Sequence, residues 1–229
     1  MDKYQISILT YNIFLNRAYE ETAKIIKKYR PDIVCVQECS TSVAQQRLEF
    51  LELADKASNA NSGLAAYYNP TKFELISTKS YELPKSIYEK RDDRTRVRQQ
   101  IIELKHKRTG KVIFVSNIHL VHLVAPNSSR RRQLVNALNN LDEQAGTNPK
   151  IVMGDFNYPF FSKSLEAIFQ QYGLFETGKS IGDKTHKTRG KFDRIILSKR
   201  HWTEDSYKVL DFGKSDHAPI LSNITIRTS

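Results

Sequence analysis

The sequence predicts a layered α/β fold in which two β-sheets pack together and helices cover them from outside. Strand and helix patterns alternate at the start of the chain, and short strand patterns then follow one another like a series of hairpins, without a sequence repeat. Of the 229 residues, 39% are hydrophobic and 27% are charged, which allows a sizeable core in a soluble protein. Because no Gly/Ser/Pro-rich linker interrupts the chain, we expect residues 1–229 to form one domain.

Each element follows from apolar periodicity and from residues that begin or end helices. Asn16 is the candidate N-cap of the first helix and Pro31 ends it, while apolar residues at helical spacing between Leu134 and Leu141 predict a later helix. In chain order we expect strand 6–11, helix 17–30, strand 32–37, helix 41–56, strands 64–69, 73–77, 97–107 and 112–120, helix 128–144, strand 151–153, helix 162–172, and strands 193–197, 207–212 and 218–226.

Composition narrows the partners and the setting of the protein. Lysine and arginine (36) exceed aspartate and glutamate (25), which gives a formal charge of +11 and makes a polyanionic partner the expected one. For a single basic run, such as residues 105–108, a solvated hairpin end is the alternative. Cys35 and Cys39 lie inside and just past one predicted strand, where a disulfide between them is geometrically disfavoured. The cysteines therefore favour a cytoplasmic setting, and no segment approaches the ~20 apolar residues of a membrane span. We also expect a monomer.

Glu38 is the first candidate for a chemical role. It follows the apolar run at residues 33–36, so a rigid strand should present its carboxylate at the edge of a sheet. A single hard carboxylate, together with waters and substrate oxygens, is the usual way of holding Mg²⁺. Glu38 is therefore a candidate metal ligand, and an exposed glutamate at a strand end is the alternative.

Asp155 and Asn157 follow another apolar run, and on an extended backbone positions i and i+2 face the same side. Asp155 is then a candidate base that accepts a proton from an attacking water, and Asn157 is a candidate donor to the developing phosphorane. A simple Gly-Asp-x-Asn turn is the alternative, which Tyr158 and Pro159 also favour.

Asp216 and His217 are adjacent, so on an extended backbone their side chains point in opposite directions and serve different tasks. His217 needs an acceptor for its ring, and Asp193 at the start of an apolar strand is the candidate. A carboxylate bonded to one ring nitrogen fixes the tautomer and favours the imidazolium. Asp216 would then support the metal. For His217 considered alone, a purely structural role is the alternative.

Two further polar residues end predicted strands. His119 is a candidate hydrogen-bond donor to a phosphate oxygen, whereas His122 is expected to be structural or exposed. Asn12 ends the first strand, and its amide is suited to holding either Glu38 or the phosphate.

The order of these motifs resembles that of the endonuclease/exonuclease/phosphatase superfamily, which has the deoxyribonuclease I-like fold. The motifs are Thr-Tyr-Asn at 10–12, Gln-Glu at 37–38, His-Leu at 119–120, Gly-Asp-Phe-Asn at 154–157, Phe-Asp-Arg-Ile at 192–195 and Ser-Asp-His-Ala-Pro at 215–219. The resemblance implies a four-layer α/β/β/α sandwich, with two mostly antiparallel sheets packed face to face, and a phosphoester hydrolase that depends on Mg²⁺ or Mn²⁺.

The resemblance also implies a role for each motif residue. Arg130, followed by Gln133, resembles the polar helix start often found after the histidine of the His-Leu motif. By resemblance, Glu38 is the metal ligand, Asn12 its partner, Asp216 a metal-side carboxylate, Asp155 and Asn157 the water-activating and phosphate-binding pair, Asp193 and His217 the hydrogen-bonded dyad, and His119 the phosphate-binding histidine.

The motifs also separate branches of the superfamily. His-Leu, Phe-Asp-Arg-Ile and Ser-Asp-His are similar to motifs of the 5′-tyrosyl-DNA phosphodiesterases and the neutral sphingomyelinases. Abasic-site endonucleases are disfavoured, because Cys39 and Ser40 follow Glu38 where that branch carries Thr-Lys. Inositol-polyphosphate 5-phosphatases are disfavoured because Pro159 stands where they carry Arg.

We therefore expect a divalent-metal-dependent phosphodiesterase that acts on nucleic acid, with DNA the favoured substrate, by in-line attack of water. A phosphatase or phospholipid phosphodiesterase is the second hypothesis, and a non-catalytic nucleic-acid-binding domain is the third. Basic segments at 94–98, 130–132 and 187–191 are expected to flank the site, with Arg98, Arg130 and Lys191 as substrate-binding residues.

Overall fold

The structure, a computed structural model, describes residues 4–57, 63–85, 97–158, 162–179, 184–188 and 190–227. Within these ranges the chain forms strands in two sheets and three α-helices. In chain order the elements are β1 (Tyr4–Asn12), α1 (Tyr19–Tyr29), β2 (Ile33–Gln37), β3 (Arg47–Leu48), β4 (Leu51–Ala57), β5 (Leu64–Tyr68), β6 (Phe73–Glu82), β7 (Val97–His106), β8 (Val112–His119), α2 (Asn127–Ala145), β9 (Lys150–Asp155), α3 (Ser162–Gln171), β10 (Leu174–Glu176), β11 (Asp193–Ser198), β12 (Trp202–Val209) and β13 (Ile220–Ile226).

The two sheets have a similar organisation. The first has the strand order β12-β13-β1-β2-β5-β4-β3, and the second has the order β10-β11-β9-β8-β7-β6. Each contains one parallel pair, β1 with β2 and β8 with β9, and the other pairs are antiparallel. Parallel neighbours need a crossover connection, and α1 and α2 provide these two crossovers.

The layers of the fold explain the continuous apolar runs in the sequence. In β2, Ile33 and Cys35 pack in the core between the sheets, whereas Val34 and Val36 pack in a separate core with Ile26 of α1. The second sheet packs its other face against α2 and α3. Its central strands are therefore buried on both sides, as parallel strands usually are. The predicted four-layer α/β/β/α sandwich with mostly antiparallel sheets is confirmed.

Asn16 does not cap α1, contrary to the sequence prediction. The N-cap residue is Ala18, which makes no side-chain hydrogen bond there. Asn16 Oδ1 instead accepts a hydrogen bond from the backbone N–H of Ser40 (2.7 Å), and its own N–H donates to the carbonyl of Glu38 (3.1 Å). Asn16 thus ties the loop after β1 to the loop after β2.

The helix predicted at residues 41–56 is wrong. β3 and β4 form an antiparallel hairpin in this region, in which Leu48 pairs with Leu51. Glu49 takes a left-handed backbone conformation (φ 58°) in the connecting turn. β4 then pairs along most of its length with β5, so long-range strand pairing overrides the helical spacing of the apolar residues.

The remaining differences concern element bounds and one small strand. β10 was not predicted, β6 extends to Glu82, and β12 begins at Trp202 instead of residue 207. Cys35 and Cys39 are both free and buried, in agreement with the expectation of no disulfide. No helix in the described ranges is long and apolar enough to cross a membrane.

Gly154 allows β9 to lie close to β8. It pairs with Ile118 in the parallel register and has φ 145°, a conformation that L side chains rarely adopt. A Cβ on Gly154 would lie 2.0 Å from the backbone carbonyl oxygen of Ile118. Backbone packing therefore requires the glycine that precedes Asp155.

Candidate active site

The polar residues of the motifs gather at one edge of the two sheets. Asn12 is the last residue of β1, and Glu38 directly follows β2. His119 and Asp155 are the last residues of β8 and β9, and they are partners in the parallel register. The carboxyl ends of parallel strands meet at the same edge, so each sheet contributes two of these side chains.

The side chain of Asn12 links the two sheets. Its Nδ2 donates to Glu38 Oε1 at 3.1 Å and to Asp155 Oδ2 at 3.0 Å. Its Oδ1 accepts from the backbone N–H of Phe14 at 3.0 Å, which fixes the orientation of the amide. Asn12 therefore orients the carboxylate of Glu38 and turns its donor side, not its oxygen, toward the two carboxylates.

Asp155 and Asn157 meet, but not on an extended backbone as expected. Asn157 has a left-handed conformation (φ 49°), so the chain turns after β9. Its backbone N–H donates to Asp155 Oδ1 (2.8 Å), and its Nδ2 donates to Asp155 Oδ2 (3.3 Å) and to the carbonyl of Leu120 (3.0 Å). The Gly-Asp-x-Asn turn and a site that Asp155 and Asn157 share are thus both present, and Asn157 holds Asp155 in place.

His217 forms the predicted dyad with Asp193. Its Nδ1 lies 2.8 Å from Asp193 Oδ2, and its Nε2 lies 3.8 Å from Asp155 Oδ2. Asp193 begins β11 and is the register partner of Asp155 on β9, which brings the three side chains together. Burial disfavours the charged ring, but the charges of Asp193, Asp155 and Asp216 outweigh it and raise the pKa of His217 to about 10. His217 is therefore cationic at neutral pH.

The raised pKa of His217 predicts a loss of stability in alkaline solution. The native state holds this proton more tightly than the unfolded chain, so the stabilisation is complete below pH 6.5 and is lost as the pH rises through about 10. In metal-free buffer, this group should lower the free energy of unfolding by up to about 1.4 kcal/mol per pH unit across that window. In urea unfolding, the difference in free energy of unfolding between the native protein and His217→Gln should become smaller as the pH rises. A difference independent of pH would contradict the assignment.

Glu38 lies in an environment that favours a cation. Its Oε2 accepts from the N–H of Leu15 (3.0 Å), and its Oε1 lies 3.9 Å from His119 Nε2, which is also 3.6 Å from Asp155 Oδ2. Burial and the negative charge of Asp155 raise the pKa of Glu38, in opposition to the hydrogen bond from Asn12. A divalent cation would stabilise the carboxylate form against both effects.

Asp216 faces His186 but stays close to His217, since possible ligand atoms of the three side chains lie within 4.8 Å of one another. The adjacent side chains of Asp216 and His217 are therefore not separated as expected. Oδ2 of Asp216 lies 3.6 Å from Nε2 of His186. Its Oδ1 is buried and has no hydrogen-bond partner among the residues that the structure describes. A buried carboxylate oxygen without a partner needs an explanation, and a cation is one that suits its chemistry.

The three predicted substrate-binding cations all make contacts within the protein. Arg98 Nη1 donates to the carbonyl of His119 (3.3 Å), and Arg130, which is 3% exposed, donates to two carbonyls in the loop before α2. Lys191 pairs with Glu176 at 2.9 Å. These contacts hold the loops around the site, and direct substrate contact by the three cations stays a prediction. Residues 94–96 and 189 of the expected basic segments lie outside the described residues.

Thr185 and His186 belong to the site but were not identified from the sequence. Thr185 Oγ1 accepts from the backbone N–H groups of Phe192 (2.8 Å) and Asp193 (3.0 Å) and so fixes the start of β11. The ring of His186 lies edge-on to that of His217, with centroids 4.9 Å apart. The Thr-His pair shortly before the Phe-Asp-Arg motif could have indicated these residues, but the lysines around it favour an exposed basic loop instead.

The residues present fit a divalent cation held by carboxylate oxygens. Nδ1 of His217 is bonded to Asp193, and the raised pKa of its ring in the metal-free protein makes it a poorer metal ligand than a carboxylate. The carboxylates of Glu38 and Asp216 are hard oxygen groups of the kind that Mg²⁺ and Mn²⁺ prefer. Two groups bring possible ligand atoms within 4.8 Å of one another, and both include His217: His186, Asp216 and His217, and Asp155, Asp193 and His217.

The stacked sheets and this edge of carboxylates, amides and imidazoles define an α/β-sandwich hydrolase of phosphate esters. The sequence profile of the endonuclease/exonuclease/phosphatase family matches residues 9–217, and the chain belongs to this family. It is a metal-dependent phosphoester hydrolase. No curated protein sequence matches the chain.

Solved structures with the same fold differ in what they act on. The human Nocturnin catalytic domain with bound sulfate has a TM-score of 0.82 at 18% identity, and covers 99% of this chain and 97% of its own. D. rerio TDP2 complexed with a single-strand DNA product has a TM-score of 0.80 at 17% identity, with 96% and 98% covered. The mannosyl-6-phosphatase of Bacteroides thetaiotaomicron has a TM-score of 0.78 at 18% identity, with 96% and 99% covered.

Proposed function

We propose that the protein is a nucleic-acid phosphodiesterase that uses Mg²⁺ or Mn²⁺ and that residues 1–229 form one catalytic domain. The observation that carries the choice of substrate is a group of exposed cations around the site, on a chain with a formal charge of +11. A polyanionic strand gains from several such contacts, whereas a small phosphate ester reaches only the centre of the site.

The roles of the side chains follow from their contacts. Glu38 and Asp216 would hold the cation, which neutralises charge on the phosphate when it is bound. Asp155, held by Asn12 and Asn157, accepts the proton of the attacking water. Water and phosphate would then react in line.

The imidazoles act on the phosphate oxygens. His217 is cationic and is held by Asp193, so its Nε2–H is available to a phosphate oxygen on the side of Asp155. His119 lies between Glu38 and Asp155 and offers its Nε2 to the same group. Donors that are fixed before the reaction stabilise developing negative charge at little reorganisation cost.

The exposed cations lie on loops that leave the site. Arg17 is on the loop after β1, and Lys214 directly precedes Ser215. The backbone N–H of Lys187 donates to the carbonyl of Asp216 (2.8 Å) and its Nζ donates to the carbonyl of Gly213 (2.9 Å), although the residue is exposed. The Lys214 side chain is 63% exposed, and its contact with Glu20 is long at 3.8 Å. We call Arg17, Lys187 and Lys214 the rim cations.

Exposed apolar side chains accompany the rim cations. Leu15 follows Asn12 by three residues and is 48% exposed, and Phe212 precedes Asp216 by four residues and is 40% exposed. Val124, on the loop after His119, is 75% exposed. Apolar and cationic groups side by side suit a strand that presents bases and phosphates together.

Removing two rim cations should weaken the use of a nucleic-acid substrate. For Lys187→Ala/Lys214→Ala, we expect KM for a single-stranded oligonucleotide to rise several-fold at low salt, because fewer phosphates are neutralised. The slope of log(kcat/KM) against log salt should become shallower by roughly 0.7 per lost phosphate contact. Lys105→Ala is the matched control, since Lys105 is exposed near the far end of β7. A slope equal to that of the control would contradict a role of the rim in binding.

A substrate screen tests the proposed function. The protein would be assayed with Mg²⁺ and Mn²⁺ against single- and double-stranded DNA and RNA, 5′-tyrosyl DNA, abasic duplex, sphingomyelin, inositol phosphates and mannose 6-phosphate, with Asp155→Asn as the inactive control. We expect metal-dependent cleavage of at least one nucleic acid. Turnover confined to the sugar, inositol or lipid phosphates would overturn the proposal and favour the phosphatase or phospholipase alternative.

A further inference from the structure

His186 is held against the active site by backbone and ring contacts. The N–H of Ala218 donates to the carbonyl of Thr185 (2.8 Å), and the N–H of Lys187 donates to the carbonyl of Asp216 (2.8 Å), so His186 is bridged to His217. Its ring packs on Phe192, with centroids 4.8 Å apart and planes 30° apart. The position of the imidazole is therefore set on two sides.

Hydrogen bonding determines which nitrogen of His186 carries the proton. The backbone N–H of Thr188 donates to Nδ1 at 3.2 Å, so Nδ1 is an acceptor. A neutral imidazole then carries its proton on Nε2. This Nε2–H faces Asp216 Oδ2 at 3.6 Å, slightly beyond a normal hydrogen bond. A protonated nitrogen cannot bind a metal, so His186 faces Asp216 as a donor and not as a second ligand.

We propose that His186 is a positioning residue that holds Oδ2 of Asp216 and leaves Oδ1 for the cation. Oδ1 is the oxygen that is buried without a partner in the described part of the chain. The inference rests on the proposed function, in which Asp216 holds the metal. Hydrogen bonds that orient a metal ligand typically change metal affinity by about 10- to 100-fold when removed.

The test measures metal binding directly, without turnover. Mn²⁺ is titrated into the full chain, and free Mn²⁺ is followed by electron paramagnetic resonance. His186→Phe keeps an aromatic ring against Phe192 but has no donor, whereas His186→Gln places an amide N–H near the position of Nε2. His201→Phe is the matched control, because His201 lies in the β11–β12 turn and bonds Ser198 there.

We expect His186→Phe to weaken Mn²⁺ binding about 10-fold, while His186→Gln and His201→Phe stay within a few-fold of the native protein. A merely structural role would lower the melting temperature of the metal-free His186→Phe protein and leave its Mn²⁺ affinity unchanged, and that outcome would overturn the inference. An equal loss in His186→Gln would overturn the donor role. Asp216→Asn separates the two proposals: unchanged Mn²⁺ binding in this variant would overturn the role of Asp216 itself.

Discussion

Replacing Asp155 by Asn is expected to lower kcat by about 10³-fold, because the change removes the group that accepts the proton of the attacking water. The amide would also turn its N–H₂ toward Asn12 Nδ2 or the backbone N–H of Asn157, both of which are donors. This mismatch should cost about 1–3 kcal/mol of unfolding free energy. Steady-state kinetics with Mn²⁺ on the substrate found in the screen measures the first effect, and urea unfolding measures the second.

Asp142→Asn is the matched control for Asp155→Asn. This substitution makes the same chemical change on α2, where Asp142 pairs with Lys150 and its side chain is 40% exposed. Its kcat should equal that of the native protein. If Asp155→Asn kept more than a tenth of the native kcat while folded, Asp155 would not be the base.

Replacing Gly154 by Ala should prevent stable folding. The added Cβ would lie 2.0 Å from the carbonyl oxygen of Ile118, a backbone atom that cannot move without breaking the pairing of β8 and β9. The φ of 145° adds strain for any L residue. We expect a loss of more than about 4 kcal/mol, measured by urea unfolding or, if too large, as loss of soluble protein.

Gly110→Ala is the control that measures backbone strain alone, without a steric clash of the added Cβ. Gly110 also has a positive φ, 69°, but a Cβ there would meet no atom within 4 Å. We expect this variant to lose only about 1–2 kcal/mol. Equal stability of the two variants would show that β8 and β9 move apart easily, which the packing of the second sheet argues against.

The sequence predicts most strands, because apolar runs such as 33–36 and 151–153 are buried on both faces. It does not predict the β3–β4 hairpin. The apolar residues there also fit helical spacing, and only the pairing of β4 with β5, which lies farther along the chain, decides between the two. The cap of α1 fails for a related reason, since Asn16 bonds Ser40 across the fold and not its own helix.

The site was predictable where each side chain ends a buried strand. Asn12, His119 and Asp155 fall at strand ends that meet by the register of parallel pairs. The hydrogen bonds of Arg130 were not predictable, because the neighbouring sequence does not show that carbonyls of the loop before α2 accept from its guanidinium. His186 was missed because its place depends on the bridge to His217, which is 31 residues away in the sequence.

Because the amide of Asn12 bonds both sheets, the rate of catalysis should depend on the distance between them. One nitrogen bonds a carboxylate from each sheet, so a slide of one sheet over the other by a fraction of an ångström lengthens at least one bond. Cys35 and Met153 pack between the sheets, below the strand ends that carry these groups. Substitutions at these core positions, remote from any substrate, would therefore change kcat by changing the distance between the two sheets. The hydrogen bonds within each sheet would stay as they are.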